Sequence, residues 1–279
     1  MKILIVGAGK MGIWLSDALC LQHEVAIFDR NLEKLKYVFN TERLISLAQI
    51  HEFNPELLIN AVDLKNTIQA FKELTPYLSK QCILADIASV KNGLRNYYLE
   101  SGFRFVSTHP MFGPTFASLR DLKNQHAIII KESEDVGKKF FHSFYESLNL
   151  SIHEYSFVGH DQTIAYSLAI PFSSTIVFAA CMRKQDAPGT TFKNHLKIAE
   201  GLLSEDVFLI SEILFGPHSA FQLERIKDQL SHLLEIIKNK DTKKLHQYLN
   251  DIKRNLNSPS ISSEELIEAA MKIESGLIS

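Results

Sequence analysis

Five short apolar runs open the chain: KILIVG at 2–7, EVAIFD at 24–29, LLINAV at 57–62, CILADI at 82–87 and FRFVST at 103–108. Charged stretches of helical periodicity lie between them, such as NLEKLKYVF and NTIQAFKEL. Strands buried on both faces read as continuous apolar runs, and the helices between them are the crossovers that a parallel sheet needs. The alternation predicts an α/β fold of Rossmann type, a doubly wound and mostly parallel sheet. Two later runs, HAIIIKE and SIHEYS, add strands before about residue 156. Beyond His160 the texture changes. Helical spacing fills 160–183, 191–201, 204–214, 218–239 and 241–256, with Pro188-Gly189 and Gly216-Pro217 as turns. An α/β domain over 1–157 and an all-α domain over 158–279 are expected. Ser258-Pro259-Ser260 reads as a linker to a last helix at 263–275. The run 165–182 is nearly apolar, yet it carries Ser167, Ser173, Ser174, Thr175 and Pro171. It reads as a buried helix and not as a membrane span.

The first run leads into GAGKMG, with Gly7, Gly9 and Gly12, and a helical stretch begins at Lys10. Gly7 permits a tight turn, Gly9 lets the backbone approach a pyrophosphate, and Gly12 lets helix and strand pack closely. Lys10 and Met11 fall in the same turn, where free helix N–H groups attract phosphate. Asp29 closes the second run, at the position where an acidic side chain takes the ribose hydroxyls of a dinucleotide. Asp29 repels a 2′-phosphate, which favours NAD over NADP. Arg30 pulls the other way, because an arginine there holds such a phosphate.

The chemistry is expected at the neighbouring strand ends. ADIASVKNG carries Asp86, Ser89 and Lys91, and STHPMFGPT carries His109 between two proline breaks. The prolines place His109 on a stiff loop just past a strand end. Such ends line the ligand crevice of an open α/β sheet. An imidazole there has the basicity to take a proton near neutral pH. Ser89 is a candidate to orient it. Lys91 reads equally as a site cation or a solvated surface charge.

GAGKMG, DIASVKNG, THPMFGPT and GHDQTIAYS, in this order and spacing, closely resemble the prephenate dehydrogenase family. The resemblance runs from residue 1 to about 255 and is most specific at HPMFGP. It implies a Rossmann domain followed by a helical domain that forms a homodimer. It also implies an NAD(P)-dependent oxidative decarboxylation in tyrosine biosynthesis, from prephenate to 4-hydroxyphenylpyruvate. His109 matches the histidine that accepts the ring hydroxyl proton. Ser89 matches the serine that hydrogen-bonds that histidine, and Lys91 a lysine near the site. Gly113 and Thr115 follow in the same motif as candidate substrate contacts. His160 and Asp161 match an HD pair, read first as helix-start residues.

The sequence departs from that pattern in the helical half. Phe172 stands where many members carry a histidine. HLKIAEGLLSEDVF lacks the arginine that clamps a substrate carboxylate, and Glu200 or Gly201 occupies its place. Lys193 and Lys197 are the candidate substitutes, as point charges without the bidentate fork. Three further readings follow: an arogenate dehydrogenase, another two-domain dehydrogenase with a helical C-terminal half, and a dinucleotide-binding sensor without catalysis.

Other classes are not favoured. A net charge of −2 and the lack of a basic block argue against a nucleic-acid partner. Cys20, Cys82 and Cys181 are far apart and odd in number, which fits reduced thiols in the cytoplasm. No His/Cys spacing suits a metal, and residues 1–6 read as a strand and not as a signal peptide.

Overall fold

The computed structural model describes residues 1–113, 122, 124–183 and 185–258. By its contacts the chain divides into two compact units, Met1–His160 and Asp161–Ser279.

The first unit is built on one eight-stranded sheet. Its strands are β1 Lys2–Val6, β2 Glu24–Phe28, β3 Glu42–Leu44, β4 Leu57–Asn60, β5 Ile83–Asp86, β6 Arg104–Pro110, β7 His126–Ile130 and β8 Ser151–Tyr155. Their order is β3-β2-β1-β4-β5-β6-β7-β8. Every pairing is parallel except β6 with β7. All five opening runs and both later ones form strands, as their apolar character predicts. The short β3 was not foreseen, since Glu-Arg-Leu carries no apolar run.

The period of two divides each strand between two cores. Ile3 and Ile5 face one side with Leu15, Ile27, Ile59 and Phe141, while Leu4 and Val6 face the other with Leu58, Phe71 and Tyr98. Helices α1 (Lys10–Leu19) and α6 (Asp135–Ser147) supply the first layer. The second comes from α3 (Leu47–Phe53), α4 (Thr67–Leu74) and α5 (Leu94–Ser101), while the four-residue α2 (Leu32–Leu35), between β2 and β3, adds Leu35 to the first. Covering both faces is what makes the strands uniformly apolar.

The parallel register fixes the edge that matters. Phe28, Val6, Asn60, Asp86 and Ser107 are neighbours across successive strands, so the carboxyl ends of β2, β1, β4, β5 and β6 form one row. His109 stands two residues past Ser107 on the same strand. The structure corrects the expected loop: β6 runs through His109 and Pro110, which pair with Ile128 and Ala127. Met111 N–H donates to His126 O, so the alternate position, Pro110, faces away from β7. Pairing with β5 has already ended at Ser107, and proline's missing donor breaks no ladder.

In α7 (Phe157–Ile164) the first unit ends. A π-turn at Ala165–Ala169 and α8 (Ile170–Cys181) follow. The helical half continues as α9 (Thr190–Leu203), α10 (Val207–Leu214), α11 (Ser219–Lys238) and α12 (Thr242–Asn257). Asp206 and Asp241 cap α10 and α12 by accepting from Phe208 N–H and Lys244 N–H. The expected helix at 263–275 lies outside the described residues.

The second correction concerns α8. It was expected to be buried, yet Ser173 is its one buried residue and Val177 is 55% exposed. The 25-residue helix Phe157–Cys181 is long and apolar enough by composition to cross a membrane. Leu203, Leu230, Leu234 and Ile237 are also exposed, and among the described residues the buried apolar side chains of the second unit are few.

Candidate functional site

The glycine loop has the geometry that each glycine's expected job requires. Gly7 adopts φ +103°, and a Cβ there would meet Ala61 O at 2.8 Å. Its N–H donates to Phe28 O, tying the turn to the end of β2. A Cβ on Gly12 would lie 1.8 Å from Gly7 O, so α1 packs against the loop only because that residue is glycine. A Cβ on Gly9 would meet nothing within 4 Å. Gly9 therefore guards open space in front of the N-terminus of α1. No side chain caps that end and its first turn has no acid, which leaves the amides to an anion. Lys10 is exposed at this point, and Met11 packs into the core beneath.

Asp29 is buried just past β2. Its Oδ2 accepts from Ala8 N–H and its Oδ1 from Asn31 N–H, both at 2.8 Å. The carboxylate thus braces the glycine loop while facing a cleft of about 400 Å³ lined by Gly7, Gly9, Asp29, Arg30, Asn31 and Lys34, among others. Lys34 Nζ lies 3.8 Å from Asp29 Oδ2. Sequence reasoning missed Lys34, whose helical neighbours mark it as an ordinary surface lysine. The cleft, the open face of Gly9 and the uncapped helix fit an adenine dinucleotide.

Further along the strand-end row lies a buried polar group. His109 is 7% exposed and His160 fully buried. His109 Nδ1 and His160 Nε2 are 3.1 Å apart. Both belong to the first unit, His109 from β6 and His160 from α7. Below them Lys91 Nζ donates to Asp86 Oδ1 at 2.5 Å and to Thr108 O at 2.8 Å. Tyr98 Oη donates to the other carboxylate oxygen at 2.7 Å, and Ala88 N–H to the first at 3.0 Å. Burial holds the His109 imidazole well below its ordinary value, helped by His160 and the Lys91 charge. Burial, and then Lys91, lowers His160 to about 3, with Asp86 opposing. Both rings are neutral at neutral pH. A neutral imidazole at a strand end can accept a proton through whichever nitrogen keeps a lone pair.

The remaining expected residues fall as follows. Ser89 is half-buried in the turn after β5, and among the described residues its hydroxyl makes no hydrogen bond. Ser89 was expected to hydrogen-bond His109; the described partner of His109 is instead His160, which reaches its Nδ1 from 51 residues away in sequence. Lys91 is neither surface nor open cation; it is locked to Asp86 without solvent contact. Gly113 is exposed at the end of the described segment, and Thr115 lies outside the described residues. Lys193 and Lys197 are both exposed, one turn apart on α9. Phe172 is half-buried on α8. Asn60 was also missed: it is buried at the end of β4, donating to Thr67 O and accepting from Val62 N–H. A lone asparagine inside LLINAV was its signal.

Comparison with known proteins gives a consistent answer. Residues 22–151 match the family model described as prephenate dehydrogenase, nucleotide-binding domain; the match begins after the glycine loop. A probable arogenate/prephenate dehydrogenase of Methanocaldococcus jannaschii is 23% identical over 260 residues, covering 85% of this chain and 57% of that protein. The T-protein of Enterobacter agglomerans is 24% identical over 230 residues, 79% of this chain and 58% of its own length. The chain thus spans somewhat over half the length of these curated relatives. Among solved structures, prephenate dehydrogenase from A. aeolicus, in complex with hydroxyphenyl propionate and NAD+, superposes with a TM-score of 0.78 at 20% identity, covering 91% of this chain and 96% of that one. Synechocystis arogenate dehydrogenase gives 0.75 at 18% identity, over 92% and 99% of the two chains. The fold is shared with both. Residues 22–151 are thus similar to the nucleotide-binding domain of prephenate dehydrogenase, and the chain resembles the prephenate and arogenate dehydrogenases over most of its length.

Proposed function

We propose that this chain is a cytoplasmic, NAD-dependent prephenate dehydrogenase acting in tyrosine biosynthesis. The observation that carries the reading is His109: a buried, neutral imidazole on the same sheet edge as the glycine loop and Asp29. NAD is favoured because Asp29 faces the cleft as a carboxylate and repels a 2′-phosphate. Bound at Gly9 and Asp29, the nicotinamide cofactor supplies a hydride acceptor.

The rest of the chemistry falls to the protein. As the ring carbinol C–H leaves as hydride, its O–H proton passes to His109. Carbon dioxide then leaves the opposite ring carbon, and the bonding electrons complete an aromatic ring. His109 returns the proton to the phenolate oxygen. No net proton is consumed, so one buried imidazole suffices. Ser89, in the turn after β5, is a further contact for the substrate hydroxyl. Gly113 and Thr115 are further candidate contacts for the substrate, while His160 is fully buried behind His109. Lys193 and Lys197 are the cations offered to the substrate carboxylates in place of the family arginine; burying a dianion without a counter-charge is costly.

The exposed apolar side chains of the helical half, such as Val177, Leu203, Leu230 and Ile237, support a homodimer. A single copy leaves this face to water, and patches of this kind mark interfaces. The substrate choice is tested by incubating the protein with NAD+ and either prephenate or arogenate and identifying the product. 4-Hydroxyphenylpyruvate is expected; tyrosine from arogenate alone would make it an arogenate dehydrogenase.

A further inference from the structure

We infer that His160 is a positioning residue that fixes the tautomer of His109 by accepting its Nδ1 proton. The inference rests on the reading of His109 as the base. A single proton bridges His109 Nδ1 and His160 Nε2, 3.1 Å apart. Only two arrangements exist for neutral rings. In one, His160 Nε2–H donates to His109 Nδ1. His109 then carries its own proton on Nε2 and cannot accept another there. In the other, His109 Nδ1–H donates to His160 Nε2. His109 Nε2 then presents a lone pair, and among the described residues nothing else bonds it. Only the second arrangement makes a base.

The surroundings support the second arrangement once the proton arrives. Imidazolium at His109 keeps its Nδ1–H, and an acceptor lone pair opposite stabilises that cation. A donor opposite would repel it. Among the described residues the charged side chains that act on the pair are Lys91 and Asp86, which neutralise each other across 2.5 Å. The neutral His160 is therefore the element that reads the protonation of His109. Orientation of a catalytic imidazole by a hydrogen bond to its second nitrogen is a general requirement of histidine bases. Here the orienting group is a second histidine where a carboxylate is more usual.

The tests are His160→Leu, which removes the acceptor, and His160→Gln, whose Oε1 reaches the place of Nε2. Kinetics with NAD+ and prephenate should show kcat falling on the order of 10²-fold in His160→Leu, with KM little changed, and recovering most of that loss in His160→Gln. Nitrogen-15 NMR of histidine-labelled wild-type protein, assigned with His109→Asn, should show His109 protonated at Nδ1 alone. A His109 found protonated at Nε2 overturns the inference whatever the kinetics, and so does a His160→Leu kcat equal to wild type. If the wild type turns over neither prephenate nor arogenate, the functional reading fails separately, and the NMR spectrum still decides the tautomer.

Discussion

Lys91 and Asp86 form an ion pair with neither side chain exposed, Nζ to Oδ1 at 2.5 Å. The pair joins the turn after β5 to β6, because the same ammonium holds Thr108 O one residue before His109. Its first role is architectural. Removing one partner of a buried pair leaves an uncompensated charge, at a cost of about 3–5 kcal/mol. Lys91→Met should lower unfolding free energy by that amount in urea, and Asp86→Asn in the same background should recover part of it. A Lys91→Met protein of unchanged stability but raised KM would instead make Lys91 a substrate contact.

Gly9 and Gly12 should fail differently. A Cβ at position 12 collides with Gly7 O, while one at position 9 enters open space. Gly12→Ala is expected to give misfolded or strongly destabilised protein. Gly9→Ala should fold with an unchanged melting temperature and lose NAD binding by tenfold or more, since the cradle for pyrophosphate is filled. Thermal melts with and without NAD separate the two, and a Gly9→Ala protein that is still stabilised by NAD contradicts the assignment.

Much of this was legible in the sequence, and what was not has a common cause. The strand runs, the glycine turn and Asp29 are local signals: each depends on residues adjacent in the chain. His109 was legible as a candidate, but not its setting. The prolines argued for a loop, and only the tertiary fact that pairing with β5 ends at Ser107 lets β6 carry Pro110. The partner of His109 arrives from residue 160, and no local rule reports a contact over that separation. Lys91 was ambiguous because a lysine near a strand end is ordinarily solvated. The Asp86 five residues earlier was its only local clue. The apolar run at 165–182 was misjudged because apolar character predicts burial without saying in what; in this chain α8 is largely exposed.

The lowered imidazoles of His109 and His160 give a signed pH dependence. Below the ordinary histidine value of about 6.5, the unfolded chain binds protons that the buried rings refuse. Stability should therefore decline as pH falls from about 6.5 toward the folded value of about 3 for His160, whose burial is the main cause. The same depression at His109 keeps the base neutral in mild acid, so the acid limb of kcat/KM should lie below the ordinary histidine value. Urea midpoints from pH 7 to 5 should fall in wild type and fall less in His160→Gln. An acid limb at or above pH 6.5 contradicts the buried-base account.

Cofactor choice should turn on Asp29. It lines a cleft that also holds the acids Asp63 and Glu73 and the cations Arg30 and Lys34. Asp29→Ser removes the charge opposing a 2′-phosphate and leaves those cations in place. The ratio of kcat/KM for NAD+ over NADP+ should exceed one in wild type and drop by about 1–2 orders of magnitude in the variant, on the scale of one lost charge–charge term. The brace to Ala8 N–H weakens too, so some activity with NAD+ is lost outright. Equal use of both cofactors by wild type would mean that Arg30 and Lys34 outweigh Asp29.

The central claim is that His109 is the base of an NAD-dependent oxidation of prephenate. The most direct measurement follows NADH absorbance with NAD+ and prephenate for wild type and His109→Asn in parallel, with NAD binding measured for both. The account predicts steady NADH formation by wild type and a loss of about 10³-fold in kcat in the variant, with NAD bound equally. A wild type that binds NAD but forms no NADH from prephenate or arogenate, or a His109→Asn variant as fast as wild type, would contradict it.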